Sequence, residues 1–367
     1  MQAESTGFLV KNNNYNYQDL NTIFQPLSGT MQAASTGFLV KNNNYNNQDL
    51  NTIFQPIYPF STSGASSSII YLNSDSTNNY ALITFTDNMS TTQTLTITPP
   101  PSTTIILYYT LVGGGGGGGC STIVGGGGGG GGGGQVINGL TSISSTTTFT
   151  ISIGSGGNGD IFDSSSGIRN PGTNGSATSI TDGQSIIVIA NGGSLGGFSG
   201  QNLAATGGPS GSNYLGGNGK TYNPGPYNVP PLWYEPGGGG GAGANGSAST
   251  TSSSTPSALI LKGGNGGSGV QATNTNGIFY GGGGGGGSGG TTTSNTTPTT
   301  TLINGDGGEG GGGSGCILTS ETIGDALPNT GGGGGGGGAG YPTSTSSAIY
   351  LNGGNGGSGI AIFKIIL

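Results

Sequence analysis

The chain has 367 residues, of which 87 are glycine and 30 % are hydrophobic, so any conventional hydrophobic core is small. Six basic and 13 acidic side chains give a net charge of −7 at pH 7, which disfavours nucleic-acid binding. The sequence has no histidine, no marked pair of carboxylates and no apolar run of about 18 residues. It therefore predicts no enzyme activity, no cofactor, no metal centre and no membrane span.

The N-terminal residues 1–60 are a tandem duplication, in which residues 1–26 recur as 31–56 with two differences. The pattern predicts, in each copy, a short strand, an Asn-rich turn and a single helical turn capped by Asp19 or Asp49. A copy is too short for a core of its own, so its apolar side chains should bury against the other copy, the rest of the chain or a neighbouring subunit. The predicted assembly-interface residues are Phe8, Leu9, Leu20, Ile23, Phe24, Phe38, Leu39, Leu50, Ile53 and Phe54.

Residues 61–112 predict a β-strand unit, because β-branched and aromatic residues alternate with polar ones between turn signals. Strands are expected at 79–86, 92–98 and 105–112. Further strands are expected within and after the glycine-rich region, at 146–153, 185–190 and 360–367.

Residues 113–367 are dominated by glycine tracts, at 113–119, 125–134, 281–287 and 331–338, with interrupted versions at 237–243 and 305–315. A tract without side chains is either disordered or packs backbone on backbone. The short aliphatic segments between the tracts and the very low charge favour the second alternative. The ordered form open to polyglycine is an extended helix with three residues per turn, whose amide groups must find partners on neighbouring chains. The expected fold is all-β with a bundle of polyglycine II helices and little or no α-helix.

A second internal repeat lies within this region, because residues 257–270 match residues 347–360. Each copy follows a glycine tract and a Ser/Thr-rich connector, which is the order expected of a chain running back and forth through a bundle. Two cysteines, Cys120 and Cys316, each end a glycine tract. Their matching placement leaves two alternatives open, a disulfide that joins two tracts or a pair of buried free thiols.

Few segments carry binding chemistry. Residues 222–236 hold the only tryptophan together with three tyrosines and five prolines, which predicts a stiff contact loop with Tyr222, Tyr227, Trp233 and Tyr234, or a cover on the bundle. Residues 214–221 imitate the end of a phosphate-binding loop but lack its first glycine and a following helix. Residues 156–160 resemble part of a calcium-binding repeat, and Asp306 and Glu309 flank a glycine stretch; solvated carboxylates are the favoured interpretation.

The glycine-rich region resembles known viral proteins. Residues 109–119, 149–154, 187–193 and 357–363 are similar to the glycine-rich domains of phage tail fibres and giant-virus proteins, and to the glycine-rich region of some receptor tyrosine kinases. The resemblance covers residues 80–367 and implies stacked polyglycine II helices beside a β unit, with no catalytic residues. The N-terminal repeats look like short modules of giant-virus and phage structural proteins.

These observations together predict a non-enzymatic structural protein of a viral surface fibre, tail or filament that assembles with itself through its N-terminal repeats. The alternative is a receptor-binding adhesin at a fibre tip, in which loops of the bundle contact a host receptor or glycan. The expected location is the virion surface or an extracellular filament. The N-terminus shows no Sec-type signal, for which a cleaved leader absent from this sequence is the alternative explanation.

Overall fold

The computed structural model describes backbone in residues 9–12, 15–19, 26–27, 30–31, 39–42 and 45–49 of the N-terminal region. Beyond these it describes residues 59–71, 80–87, 92–183, 185–200, 203–222, 233–255, 258–273, 275, 277–289, 299–316, 324–340 and 347–366. Within these residues the protein is all-β and contains no helix, as the sequence predicts.

The strands are numbered in chain order. They are β1 Leu9–Asn12, β2 Tyr15–Asp19, β3 Pro26–Leu27, β4 Thr30–Met31, β5 Leu39–Asn42, β6 Tyr45–Asp49, β7 Phe60–Ser63, β8 Ser67–Tyr71, β9 Tyr80–Thr86, β10 Gln93–Ile97, β11 Ile105–Val112, β12 Val136–Ile143, β13 Thr147–Ser152, β14 Ile161–Asp163, β15 Ile168–Asn170, β16 Thr178–Thr181, β17 Ile186–Ala190, β18 Lys220–Tyr222, β19 Trp233–Glu235, β20 Thr250–Thr255, β21 Ala258–Lys262, β22 Val270–Gln271, β23 Phe279–Tyr280, β24 Thr299–Ile303, β25 Ala339–Gly340, β26 Ile349–Tyr350 and β27 Ile360–Ile366.

Two five-stranded antiparallel sheets share one hydrophobic core and form a β-sandwich. Their strand orders are β17-β16-β13-β10-β7 and β12-β11-β27-β9-β8. Alternate residues of β9 and β10 are buried, as the period of a half-buried strand requires. Phe85 and Phe363 lie at the centre, with ring centroids 5.8 Å apart in an edge-to-face arrangement. The C-terminal strand β27 lies between β9 and β11, so the two ends of the glycine-rich region are held in one sheet.

The glycine tracts extend from the sandwich and are joined laterally by backbone hydrogen bonds. Residues 113–119 illustrate the pattern, because the amides of successive residues turn toward three different neighbouring segments and return to the first after three residues. The first row of amides, from Gly113, Gly116 and Gly119, donates to carbonyls within residues 129–135. The second row, from Gly114 and Gly117, donates to Ser176 and Thr173, and the third, from Gly115 and Gly118, donates to Gly357 and Gly354. All of these hydrogen bonds are 2.8–3.1 Å long. The carbonyl groups of the same tract accept hydrogen bonds from three further segments, within residues 157–160, 193–196 and 334–337. The tract is therefore enclosed by backbone on every side.

The same pattern holds for the tracts within residues 125–134, 236–242, 281–289 and 331–339, all of which are buried. A Cβ atom added to most of these glycines meets carbonyl oxygens of the neighbouring segments at separations near 2 Å. At Gly131, for example, the new atom would lie 2.2 Å from the carbonyl oxygen of Gly116. Only glycine fits where backbones approach this closely.

The outer segments of the bundle carry side chains at every third position. Residues 263–269 read Gly-Gly-Asn-Gly-Gly-Ser-Gly, and residues 353–359 have the same sequence. Gly264 and Gly267 donate to the tract 236–242, and Gly354 and Gly357 donate to the tract 331–339. The other glycines of the two segments donate to residues 303–309 or 154–160, whereas Ser268 and Asn355 are exposed. A period of three in the sequence thus matches the period of three in the hydrogen bonds, so glycine lines the packed faces and polar residues line the outer face.

The chain passes back and forth through the bundle, so the bundle has two unlike ends. The sandwich end is where β11, β12, β13, β16, β17 and β27 join the glycine segments. Returns at this end include residues 211–213, residues 310–311 and the β22–β23 pair, whose Tyr280 packs with Val112 and Ile360. The opposite end, here called the loop end, carries residues 120–125, 199–200 and Leu203, the β14–β15 and β18–β19 hairpins, the β20-β21-β24 sheet and the β25–β26 pair.

The N-terminal repeats form a sheet of their own, in the order β2-β1-β5-β6. The strand expected near residue 9 is present in both copies as β1 and β5. The residues after each Asn-rich segment form a second strand, β2 or β6, that ends at Asp19 or Asp49. The helical turn expected after these aspartates lies outside the described residues.

Candidate functional site: the loop end of the bundle

The loop end gathers connections from distant parts of the sequence onto one surface. The glycine segments before and after each connection are held by hydrogen bonds on several sides, so the bases of the loops are fixed by the scaffold. Surface loops on a rigid scaffold are where proteins most often place contact residues. The loop end is therefore the candidate functional site of this chain.

The aromatic segment predicted as a contact loop belongs to this end. Tyr222 is the last residue of β18 and pairs with Trp233, the first residue of β19, while Tyr234 pairs with Thr221. Three of the four predicted contact residues thus lie at the base of one hairpin. Tyr227 lies outside the described residues.

The β14–β15 hairpin, which was not predicted from the sequence, contributes apolar groups to the same end. Ile161 and Ile168 are 47 % and 57 % exposed, as is Leu203 at 53 % in a neighbouring connection. The Phe162 ring lies 4.9 Å from that of Tyr350, between ring centroids. Other exposed apolar side chains, such as Leu215 and Leu327, lie toward the sandwich end, so exposure alone does not single out the loop end.

An ion pair anchors this hairpin to the bundle. Asp160 is fully buried, and its Oδ2 accepts hydrogen bonds from Nε and Nη2 of Arg169 at 2.9 and 2.7 Å. The Arg169 guanidinium also lies over the Phe198 ring, 3.9 Å from its centroid. The other carboxylate oxygen accepts from the amide of Gly172. Both carboxylate oxygens of Asp160 therefore bind the arginine or backbone, and this argues against a calcium site at residues 156–160.

The two cysteines are buried free thiols, so the alternative of a disulfide between Cys120 and Cys316 is wrong. The cause is the bundle geometry. Gly337 donates to the carbonyl of Gly119, beside Cys120, while Cys316 donates to Gly336. The tract 331–338 therefore lies between the two thiols. Burial raises the pKa of Cys120 to about 12 and raises that of Cys316 as well, so both thiols are poor nucleophiles.

A buried carboxyl group lies where the aromatic hairpin meets the bundle. Glu235, the last residue of β19, is fully buried, and its Oε1 has no hydrogen-bond partner. Its Oε2 lies 3.4 Å from Oγ of Ser288, whose hydroxyl donates to the carbonyl of Ile303 at 2.6 Å. Burial raises the pKa of Glu235 from 4.5 to about 8. The side chain is thus protonated at neutral pH, and sequence reasoning missed it because Glu235 stands among aromatic residues and prolines with no charged neighbour.

The remaining sequence candidates do not form binding centres among the described residues. Residues 214–219 are an extended bundle segment, in which Gly217 donates to Gly238 rather than toward a ligand. Asp306 is 73 % exposed and lies 3.8 Å from Nζ of Lys262, which fits a solvated carboxylate. No group of three or more potential metal ligands occurs in the part of the chain that the structure describes.

Of the predicted assembly-interface residues, Leu9 and Leu39 lie in the paired strands β1 and β5. The others lie outside the described residues, namely Phe8, Leu20, Ile23, Phe24, Phe38, Leu50, Ile53 and Phe54. Among the described residues, no helix is long and apolar enough to span a membrane.

The fold and the sequence place this chain in a family. The glycine-rich domain family matches residues 89–365, and the chain belongs to that family. The match runs from just before β10 almost to the end of β27, so it covers most of the sandwich and the whole bundle. No curated protein matches the chain.

Proposed function

We propose that this chain is a non-enzymatic structural protein, a subunit of a viral surface fibre, tail or filament, in which a polyglycine II bundle serves as a rigid body. The observation that carries the proposal is the lateral hydrogen bonding of the glycine tracts with a period of three residues, the period of the extended threefold helix. A body held together by backbone has little need of a large hydrophobic core, and its composition suits a protein that bears load or spaces other parts.

The N-terminal repeats are the proposed joints between subunits. They fold as a sheet separate from the β-sandwich. Among the described residues, the chain enters the sandwich at Pro59, whose carbonyl accepts from the amide of Thr98, and at Phe60, where β7 pairs with β10. The viral setting rests on the resemblance of residues 80–367 to glycine-rich domains of phage and giant-virus proteins. In this setting the protein acts on the virion surface or in an extracellular filament.

Removal of the repeats tests the proposal. A variant lacking residues 1–58 keeps every strand of both sandwich sheets. It should fold and remain monomeric, while the full chain forms oligomers or filaments at the same concentration. Sedimentation and negative-stain electron microscopy measure the two states. Polymers that persist unchanged in the truncated variant would refute the joint.

A second candidate function is that of an adhesin at a fibre tip, and the polarity of the bundle favours it. The β14–β15 and β18–β19 pairs both lie at the loop end, opposite the sandwich. A tip adhesin would present this end to a receptor or glycan and occur once or as a trimer per fibre. Counting copies per particle by image analysis separates it from a structural subunit present in a regular lattice.

A further inference from the structure

The two N-terminal repeats pair with each other in a symmetric manner. The strands β1 and β5 have the same sequence, Leu-Val-Lys-Asn. They are antiparallel, with Leu9 opposite Lys41, Val10 opposite Val40 and Lys11 opposite Leu39. Since position 40 of the second repeat corresponds to position 10 of the first, the pairing has a local two-fold axis between the two valines.

The hairpins that carry these strands also match. In the first repeat Leu9 pairs with Asp19 and Val10 with Gln18, with an irregularity before Asn12. The second repeat has the corresponding pairs and the same irregularity, displaced by the offset of the duplication. Each repeat is therefore the same structural unit, in which the second strand covers one side of the first strand and the other side pairs with the other repeat.

We infer that the two repeats are interchangeable pairing units, so that the repeat of one chain pairs with a repeat of a second copy through the strands that β1 and β5 form within one chain. A symmetric contact between identical units has the same geometry and the same contacts whether the units share a chain or not. The register also keeps each lysine opposite a leucine, so no like charges lie directly opposite each other. This inference rests on the proposed assembly through the N-terminal repeats and names its contact.

Two units per chain determine what such exchange builds. Each unit pairs once through its first strand, so a chain with two units can join two other chains and extend into a linear polymer. Pairing within the chain uses both units and closes it. The linked repeats face each other at an effective concentration on the order of 1 mM, so the closed form prevails in dilute solution and exchange prevails where subunits are crowded.

The test uses the full chain with the substitutions Val10→Cys and Val40→Cys, which place two thiols directly opposite each other. Oxidation at about 10 μM should give a cross-linked monomer. Oxidation at about 1 mM should give a ladder of covalent dimers and larger species holding about half of the chains on a denaturing, non-reducing gel. Cys120 and Cys316 are buried, so the unsubstituted chain should give no ladder.

A matched control checks the register. The pair Leu9→Cys and Leu39→Cys lies in the same strands, but these positions are diagonal rather than opposite, about 7–8 Å apart between Cα atoms, which is too far for a disulfide. It should give at least about tenfold less cross-linking of either kind. A valine-to-cysteine variant that yields only cross-linked monomer at every concentration would overturn the exchange. Equal ladders from both cysteine pairs would overturn the register.

The proposed function and this inference can fail separately. Electron microscopy of the unsubstituted chain reports whether filaments form at all. Filaments without a cysteine-dependent ladder would leave the structural role and remove the exchange as its contact. A concentration-dependent ladder without filaments would leave the exchange and count against the fibre.

Discussion

The substitution Gly131→Ala tests the packing of backbone on backbone at the centre of the bundle. The added Cβ atom would lie 2.2 Å from the carbonyl oxygen of Gly116 and 2.6 Å from that of Gly117. Ordinary contacts of this kind exceed 3 Å, so the tract 113–119 must shift by about 1 Å. Gly116 donates to Gly132 at 2.8 Å and accepts from Gly334 at 2.9 Å, and a shift of this size weakens both bonds.

The expected loss of stability follows from these contacts. Overpacking costs about 1–3 kcal/mol, and two weakened hydrogen bonds add about 1 kcal/mol each. Alanine regains about 0.4–1 kcal/mol by restricting the unfolded chain. The free energy of unfolding should therefore fall by roughly 2–4 kcal/mol, measured by guanidinium titration followed by circular dichroism.

Gly200→Ala is the matched control. A Cβ atom at Gly200 meets nothing closer than the Phe198 ring at 3.5 Å, an ordinary contact. This variant should change the free energy of unfolding by less than about 1 kcal/mol. Equal stability of the two variants would refute the reasoning, because a flexible tract would accept a methyl group at either position.

Three further tests probe the bundle and its loop end. The pKa of Glu235 is about 8 in the folded protein and 4.5 in the unfolded chain. The tighter binding of this proton by the folded protein therefore adds about 5 kcal/mol to the free energy of unfolding below pH 4.5, and this gain is lost as the pH rises through 8. Glu235→Gln should flatten this fall in thermal stability between pH 5 and 8, and an unchanged pH profile would contradict the burial. Arg169→Met leaves Asp160 buried without its cation and should cost about 3–5 kcal/mol; the added substitution Asp160→Asn should restore most of this loss, and a double variant no more stable than Arg169→Met would argue against the ion pair. Asn158→Ala on the exposed outer face should change stability by no more than about 0.5 kcal/mol, and a larger loss would mean that the outer positions also pack.

The strands of the sandwich were predictable because their apolar residues alternate. The strand expected at 105–112 is β11 residue for residue, and those expected at 79–86 and 360–367 are β9 and β27 to within one residue at an end. Their order in the sheet was not predictable. The pairing of β27 with β9 and β11 joins residues far apart in sequence, and no local pattern encodes such a choice.

Other elements were missed for physical reasons that the sequence partly reveals. The residues of β2 and β6 are mostly polar, so periodicity gave no strand signal there, and pairing with the first strand of the same repeat supplies what propensity lacks. The distinction between interior and outer bundle segments was readable. Pure glycine marks the enclosed tracts, and a side chain at every third position, as in residues 263–269, marks the outer ones.

The disulfide alternative failed because matching positions in two tracts do not make the tracts adjacent. Cys120 and Cys316 each end a tract, but tract 331–338 separates them. Adjacency in a bundle of this kind depends on how the chain returns at each end, and the lengths of loops give only weak information about it. The loop end as a candidate contact surface could be inferred only once this path was known.

Amide hydrogen exchange, followed by mass spectrometry of peptides from the intact protein, tests the central claim most directly. The amides of residues 113–119, 128–134 and 281–287 donate to backbone carbonyls of neighbouring segments and are enclosed, so they should exchange only after hours, as slowly as the core strands β9 and β11. Complete exchange of these tracts within seconds, while the strands stay protected, would show that the glycine segments are loose spacers and would contradict the account.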